Sequence, residues 1–365
     1  MKIKEIMTLF EKHAPSSYQE DYDNAGLIIG NKESEITGIL LALDTTEAII
    51  QEAMDMGCNL IVAHHPIIFK GLKKINGKNY VERVVLKAIK NDINILVVHT
   101  NIDNVLKQGV SERMAMKLGL NNLQILRPKQ NTLSKLVIYC PTHLTEAIKT
   151  AVFNFGGGEI GNYTQCSFKS DGKGSFKGNE KSNPKIGKKN ELKEIEETKI
   201  EFLVKNNFVI QIIEAAKAVH EYEEMAYDII PLSNNNQEVG SGIIGELEEE
   251  MSQNEFLQLV KKSFNLDAFK YTPVSKNIKK VCVCGGSGSF LIKDALQNNA
   301  DAYITADIKY HEFFDGEEKL LVCDIGHYES EISTLDIFYE IISEKKPIFA
   351  VNFCKTNTNP VKYYN

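Results

Sequence analysis

The chain has 365 residues, of which 43% are hydrophobic and 25% charged, and a formal net charge of −7. This is the composition of a globular protein with enough chain for two or three domains. The acidic balance and the lack of a basic stripe with interleaved aromatics speak against a nucleic-acid partner, and no apolar run approaches the roughly 20 residues that a membrane helix needs.

The opening stretch MKIKEIMTLFEKHAP alternates charged and apolar residues as an amphipathic helix does. It lacks the continuous apolar core of a secretory signal, so a cytoplasmic location is expected. Residues 37 to 65 run strand, helix, strand: TGILLAL, then TTEAIIQEAMDMG with a Thr cap and a closing Gly, then NLIVAHH. A helical stretch from Val81 leads to the strand INILVVH, and VLKQGVSERMAMKLGL reads as a further helix. The middle has a different order: strand KLVIYCP, helix TEAIKTAVFNFGG, hairpin-like strands around YTQCSFKSDGKGSF and KIEFLV, helix FVIQIIEAAKAVH and strand MAYDIIPL. That order is a split β-α-β, ferredoxin-like module. After about residue 243 the α/β alternation resumes, with KKVCVCGG, ADAYITAD, LLVCDIGH and PIFAVNF as strands. The expected fold is therefore an α/β core in two halves, 1–125 and 243–365, with an α+β ferredoxin-like domain inserted at 126–242.

Five residues from both ends of the chain carry a metal-site pattern. His64 and His65 close the apolar run NLIVAHHP, where a strand delivers side chains to the carboxyl edge of a sheet. Neighbouring strand residues point to opposite sides, so each imidazole is placed to serve its own ion. Asp103 follows the strand INILVVH, and His327 and Glu331 lie four apart on a helical pattern, hence on one face. Three histidines and two carboxylates suit zinc, iron, manganese or cobalt. Taken singly, each has an ordinary structural explanation: a polar strand end, a turn or helix cap, a surface helix pair. The coincidence of all of them favours two divalent ions.

The seven cysteines are scattered and mostly embedded in apolar runs, as reduced thiols of a cytosolic protein would be. Cys282 and Cys284, a close pair, have no second pair to complete a thiolate zinc site. The glycine-rich CGGSGSFLIKDAL opens a helix and offers either a phosphate cradle or a tight turn.

The segments DNAGLIIG, LIVAHHPIIFKG, VVHTNIDN, ADIKYHEF and DIGHYESE, in this order, resemble the Nif-three-like dinuclear metal-centre family, whose members are often catalogued as GTP cyclohydrolase 1 type 2 homologues. Tyr22 stands where family members usually carry a Trp. The resemblance implies two divalent cations, His65 and Asp103 serving one, His64 and His327 the other, with Glu331 bridging. It makes His99, Asp307 and His311 candidates for orienting ligands or moving protons. It also implies a toroidal homohexamer and a middle domain similar to CutA and PII proteins. In that domain His220, Glu223 and Glu224 form either a second metal or effector site or an ordinary helix-to-strand junction. The function expected is metal-dependent hydrolysis of a nucleotide or another phosphate-bearing small molecule; the alternative is metal storage, delivery or regulatory binding.

Overall fold

The computed structural model describes residues 1–364. Two compact units are present, one formed by Met1–Pro128 with the stretch from Gln237 onward, the other by Lys129–Asn236.

The first unit begins with α1 (Ile3–His13), β1 (Gly26–Ile29), β2 (Gly38–Ala42), α2 (Glu47–Asp55), β3 (Leu60–Ala63), α3 (Tyr80–Lys90) and β4 (Asn94–Val97). Helix α2 forms where the sequence places its signals: the Thr46 hydroxyl accepts from the Ile49 amide at 3.2 Å, and Gly57 ends the turn at φ +68°. Every residue of β2, β3 and β4 is buried, because helices cover both faces of their sheet. After β4 the chain makes a one-turn helix α4 (Thr100–Asp103), then α5 (Val110–Lys117) and β5 (Asn121–Pro128).

The second unit contains β6 (Leu133–Cys140), α6 (Thr145–Asn154), β7 (Phe168–Lys177), β8 (Leu192–Lys205), α7 (Val209–Val219) and β9 (Tyr227–Pro231). Its sheet has the order β7-β8-β6-β9, antiparallel throughout, which is the ferredoxin-like arrangement expected. Burial alternates along the latter half of β8, and Ile200, Phe202 and Val204 meet Ile148, Val152 and Ile212 of the two helices in one core.

The first unit resumes with β10 (Gly240–Met251), α8 (Gln253–Ser263), β11 (Lys270–Tyr271), β12 (Ile278–Ser287), α9 (Ile292–Gln297), β13 (Ala302–Ala306), β14 (Leu321–Asp324), α10 (His327–Glu331), α11 (Thr334–Ser343) and β15 (Ala350–Phe353). A six-stranded sheet has the order β11-β14-β13-β12-β10-β5, with β12, β13 and β14 parallel. Strand β15 crosses back to pair in parallel with β2 and completes a five-stranded sheet, β1-β4-β3-β2-β15. On one face of that sheet α1 and α11 pack together, with the Phe10 and Phe338 rings edge to face at 5.4 Å.

Three details differ from expectation. Strands β5 and β10 pair with each other, Pro128 opposite Gly240, so residues 126–128 and 237–242 lie in the α/β unit. The run YESEISTLDIFYEII forms two helices, α10 and α11, separated at Ile332 and Ser333. Asp103 sits on the single turn α4 and not directly at a strand end. What matters for function is that the carboxyl ends of β2, β3 and β4 and those of β12, β13 and β14 deliver polar residues to one place.

Candidate metal centre

Four histidines share one construction. His64, next after β3, has its Nδ1 2.9 Å from the carbonyl oxygen of Val98. A carbonyl only accepts, so Nδ1 carries the proton and Nε2 is left with its lone pair. His65 Nδ1 donates to Asp44 Oδ1 at 2.8 Å, His99 Nδ1 to Asp23 Oδ1 at 2.7 Å, and His327 Nδ1 to Asp307 Oδ2 at 2.6 Å. Such outer partners fix tautomer and ring orientation in metal-ligating histidines.

The Nε2 atoms of three of them converge on Glu331. His65 Nε2 and His327 Nε2 lie 2.9 and 3.0 Å from Glu331 Oε2, and 3.2 Å from each other. On the other side, His64 Nε2 lies 3.8 Å from Glu331 Oε1 and 3.6 Å from Asp103 Oδ1. His64 and Glu331 are 0% and 3% exposed. His64 Nε2 and Asp103 Oδ1 are buried polar atoms without a hydrogen-bond partner, while Glu331 Oε2 is met by the His65 and His327 imidazoles. Each such orphan costs about 1–3 kcal/mol, so two facing each other across 3.6 Å are a standing penalty unless something with positive charge sits between them.

The donor set fits divalent cations: imidazole and carboxylate with no thiolate. The groups His64, Asp103, Glu331 and His65, His327, Glu331 each bring three ligand atoms within 4.8 Å of one another, and could each hold an ion. Glu331 belongs to both through its two oxygens, as a bridging carboxylate would. This grouping differs from the expected one: Asp103 shares its side with His64, and His327 with His65. The reason is α4, which places Asp103 against the inner imidazole.

Electrostatics follows the same division. Burial drives the His64 pKa down to about 4 despite Glu331. Burial opposes charge on His65 too, yet the Asp44 and Glu331 carboxylates lift it to about 9; His327 rises to about 11 against burial through Asp307 and Glu331. Burial and then the Glu331 charge push the Asp103 carboxyl well above its ordinary range. Glu331 is held well below its own, burial notwithstanding, by His327, His64 and His65.

Glycines make the approach feasible. A side chain at Gly286, where φ is +61°, would begin 2.2 Å from Glu331 Oε1. The glycine-rich loop is a tight turn: the Gly286 amide donates to Ser330 Oγ at 3.0 Å, and the Gly286 and Gly288 carbonyls accept from Thr305 and Tyr303. Asp307 adopts the left-handed backbone at φ +56°, an uncommon choice for a residue with a side chain, and from there holds His327.

Of the other sequence candidates, His99 joins the site: it groups with His64 and His65 as a possible ligand triad, and its ring lies 5.2 and 5.5 Å from theirs. His311 does not. It is exposed on a 3-10 segment, stacked with Phe314, because the turn after Asp307 carries it away from the cluster. Asp44 and Asp23 were missed. Asp44 follows the strand LLAL as His64 follows LIVA, a signal available in the sequence. Asp23 opens the segment DNAGLIIG that carries part of the family resemblance, but its pairing with His99, 76 residues away, has no signal in the sequence. Burial opposes charge on Asp23, but His99 and Thr100 bring its pKa to about 2.

A two-sheet α/β core with a buried histidine and carboxylate cluster at the strand ends defines the class: a fold whose centre could bind metal ions. The chain belongs to the Duf34/NIF3 (NGG1p interacting factor 3) family, whose model matches residues 1–360. It is 37% identical over 364 residues to the "GTP cyclohydrolase 1 type 2 homolog" of Halalkalibacterium halodurans, covering 98% of each chain, and 35% identical over 368 residues to that of Staphylococcus epidermidis, covering 100% of each. A solved structure of a Bacillus cereus protein related to NIF3 superposes with a TM-score of 0.86 at 34% identity, covering 100% of this chain and 99% of that one. A Staphylococcus aureus protein gives 0.78 at 30%, with the same coverage.

Proposed function

We propose that the chain binds two divalent cations, zinc, iron or manganese, one at His64, Asp103 and Glu331, the other at His65, His327 and Glu331. With them it hydrolyses a nucleotide or another phosphate-bearing small molecule. The observation that carries this reading is the convergence of three inward-facing Nε2 atoms on two carboxylates, with His64 and Asp103 each left holding an orphaned buried atom. Paired divalent ions acidify water and neutralise charge on attacking and leaving oxygens. The chain's own residues do the rest: Asp44, Asp307 and the Val98 carbonyl orient the three imidazoles. His99, held at Nδ1 by Asp23, keeps an Nε2 lone pair that can take a proton from the attacking water and pass it to the departing group.

The names of the curated relatives make GTP the first nucleotide to try. Metal-loaded protein and a Glu331→Ala variant are compared on a panel of nucleotides and phosphoesters. Turnover confined to the loaded native protein supports the reading; none on any substrate overturns hydrolysis. A second reading, metal storage or delivery, is favoured by the near-complete burial of His64 and Glu331, and metal retention without turnover supports it. The proposal includes assembly as a homohexamer, which light scattering tests: a mass near one or two chains overturns it.

A further inference from the structure

The segment after β15 reaches the candidate metal centre. It is first pinned to the core: the Cys354 amide donates to the Leu41 carbonyl at 3.0 Å, and the Lys355 and Thr356 amides donate to Glu52 Oε1 and Oε2 at 2.6 and 3.1 Å. Beyond that anchor, two side chains turn inward. The Thr358 hydroxyl donates to Asp44 Oδ2 at 2.7 Å, and Asn359 Nδ2 donates to Glu329 Oε1 at 2.8 Å. Asp44 is the carboxylate that holds His65, and Glu329 lies on α10 between His327 and Glu331.

The three imidazoles around Glu331 are supported unequally. His64 leans on a backbone carbonyl beside the sheet, and His327 on an aspartate fixed by its left-handed backbone. Asp44 has two side-chain partners, His65 on one oxygen and Thr358 on the other. Without the hydroxyl, the carboxylate is free to turn about its terminal torsion, which has a broad profile. Anchoring the segment does not require these bonds, because Glu52 already supplies that.

We propose that Thr358 is a positioning residue of the metal centre, setting His65 through Asp44, with Asn359 steadying α10 through Glu329. This rests on the metal-binding reading above. The test uses cobalt ion as probe on the full chain, read by its ligand-field absorption and by competition with a chromophoric chelator. Thr358→Val keeps the shape and removes the hydroxyl. The expected result is a severalfold weakening of one of the two ions, up to the roughly tenfold lower end of the range seen when direct partners of ligating histidines are removed. The other ion keeps its affinity, and Thr358→Ser restores both. Because both act through one chain of bonds, Thr358→Val added to Asp44→Asn weakens binding little further. A merely structural role gives a lower melting temperature of the metal-free protein with cobalt affinity unchanged, and that result overturns the proposal. Native protein that takes up no cobalt overturns the metal centre itself and this inference with it; native uptake with an unaffected Thr358→Val overturns this inference alone.

Discussion

In the inserted unit, His220 spends both ring nitrogens on its own fold: Nε2 donates to the Tyr139 carbonyl at 3.1 Å and Nδ1 accepts from the Tyr222 amide at 3.1 Å. Its neighbour Glu223 accepts from the Asn183 amide, and His143 pairs with Glu221 on the surface. In the α/β unit His64, His65 and His327 are tied to outer partners at Nδ1, and their Nε2 atoms point at Glu331 and, for His65 and His327, at each other. The residue types are the same. What separates an ordinary junction from a candidate site is whether metal-ligating atoms of several residues converge with valence left over, since a folded chain rarely gathers such atoms without cause. His220 and Glu223 are thereby spent on the junction, and Glu224 is exposed.

The largest expected effect separates the two regions outright. Glu331→Ala removes the carboxylate common to both ligand groups, and metal analysis after chelation and reloading should show both ions lost or reduced. His220→Gln should leave stoichiometry at the native value. One ion per chain in the native protein, or an unchanged count in Glu331→Ala, breaks the assignment.

Gly286→Ala comes next. The left-handed backbone costs a residue with a side chain about 1–2 kcal/mol. The new methyl must also displace Glu331, whose oxygen stands 2.2 Å from its ideal position. Loss of metal beyond the loss of thermal stability is expected. Equal metal affinity in a folded Gly286→Ala variant would mean that Glu331 does not need its present position.

Asp44→Asn and Asp307→Asn should each weaken binding about 10–100-fold, by loosening one imidazole without removing a ligand. Proton release should accompany loading. In the metal-free protein His65 and His327 have pKa values raised to about 9 and about 11, so both carry a proton at pH 7 and must lose it to bind. Affinity therefore falls as pH falls. Calorimetry in buffers of different ionisation enthalpy measures the release; a heat independent of buffer contradicts it.

Much of this was legible in the chain. Buried parallel strands read as continuous β-branched runs, so β2, β3, β4, β13 and β14 were visible, and with them the residues at their carboxyl ends. The i, i+4 pair His327 and Glu331 survived the break of its helix because both residues lie within α10. Strands β5 and β10 were hidden: NNLQILRP is largely polar at its start, and the end of β10 is a run of exposed glutamates. The roles of Asp23 and Thr358 were hidden for another reason. Each lies in irregular backbone, and only long-range pairing, over 76 and 314 residues, gives it a role, although Asp23 itself opens the recognisable segment DNAGLIIG.

The smallest expected effect is none at all, and it tests how far the two regions are independent. Every proposed ligand lies outside Lys129–Asn236. Pro128 and Gly240 are register partners of adjacent antiparallel strands, so the chain leaves and re-enters the α/β unit at neighbouring positions. Gln237, Glu238 and Val239 must stay, because the Leu106 amide donates to the Glu238 carbonyl at 2.9 Å and Val239 bridges to Val105 in the core. Two turn-forming residues between Pro128 and Gln237 would then give a hairpin loop of about five residues, within the ordinary range for antiparallel neighbours. Gly240 must also stay, since a side chain there would begin 2.2 Å from the Arg127 carbonyl. A variant closed in this way should fold and bind both ions with native affinity. If it is folded by circular dichroism and melts cooperatively, yet binds neither ion, then the inserted unit contributes to the site and the division between satisfied and unsatisfied histidines has been drawn in the wrong place.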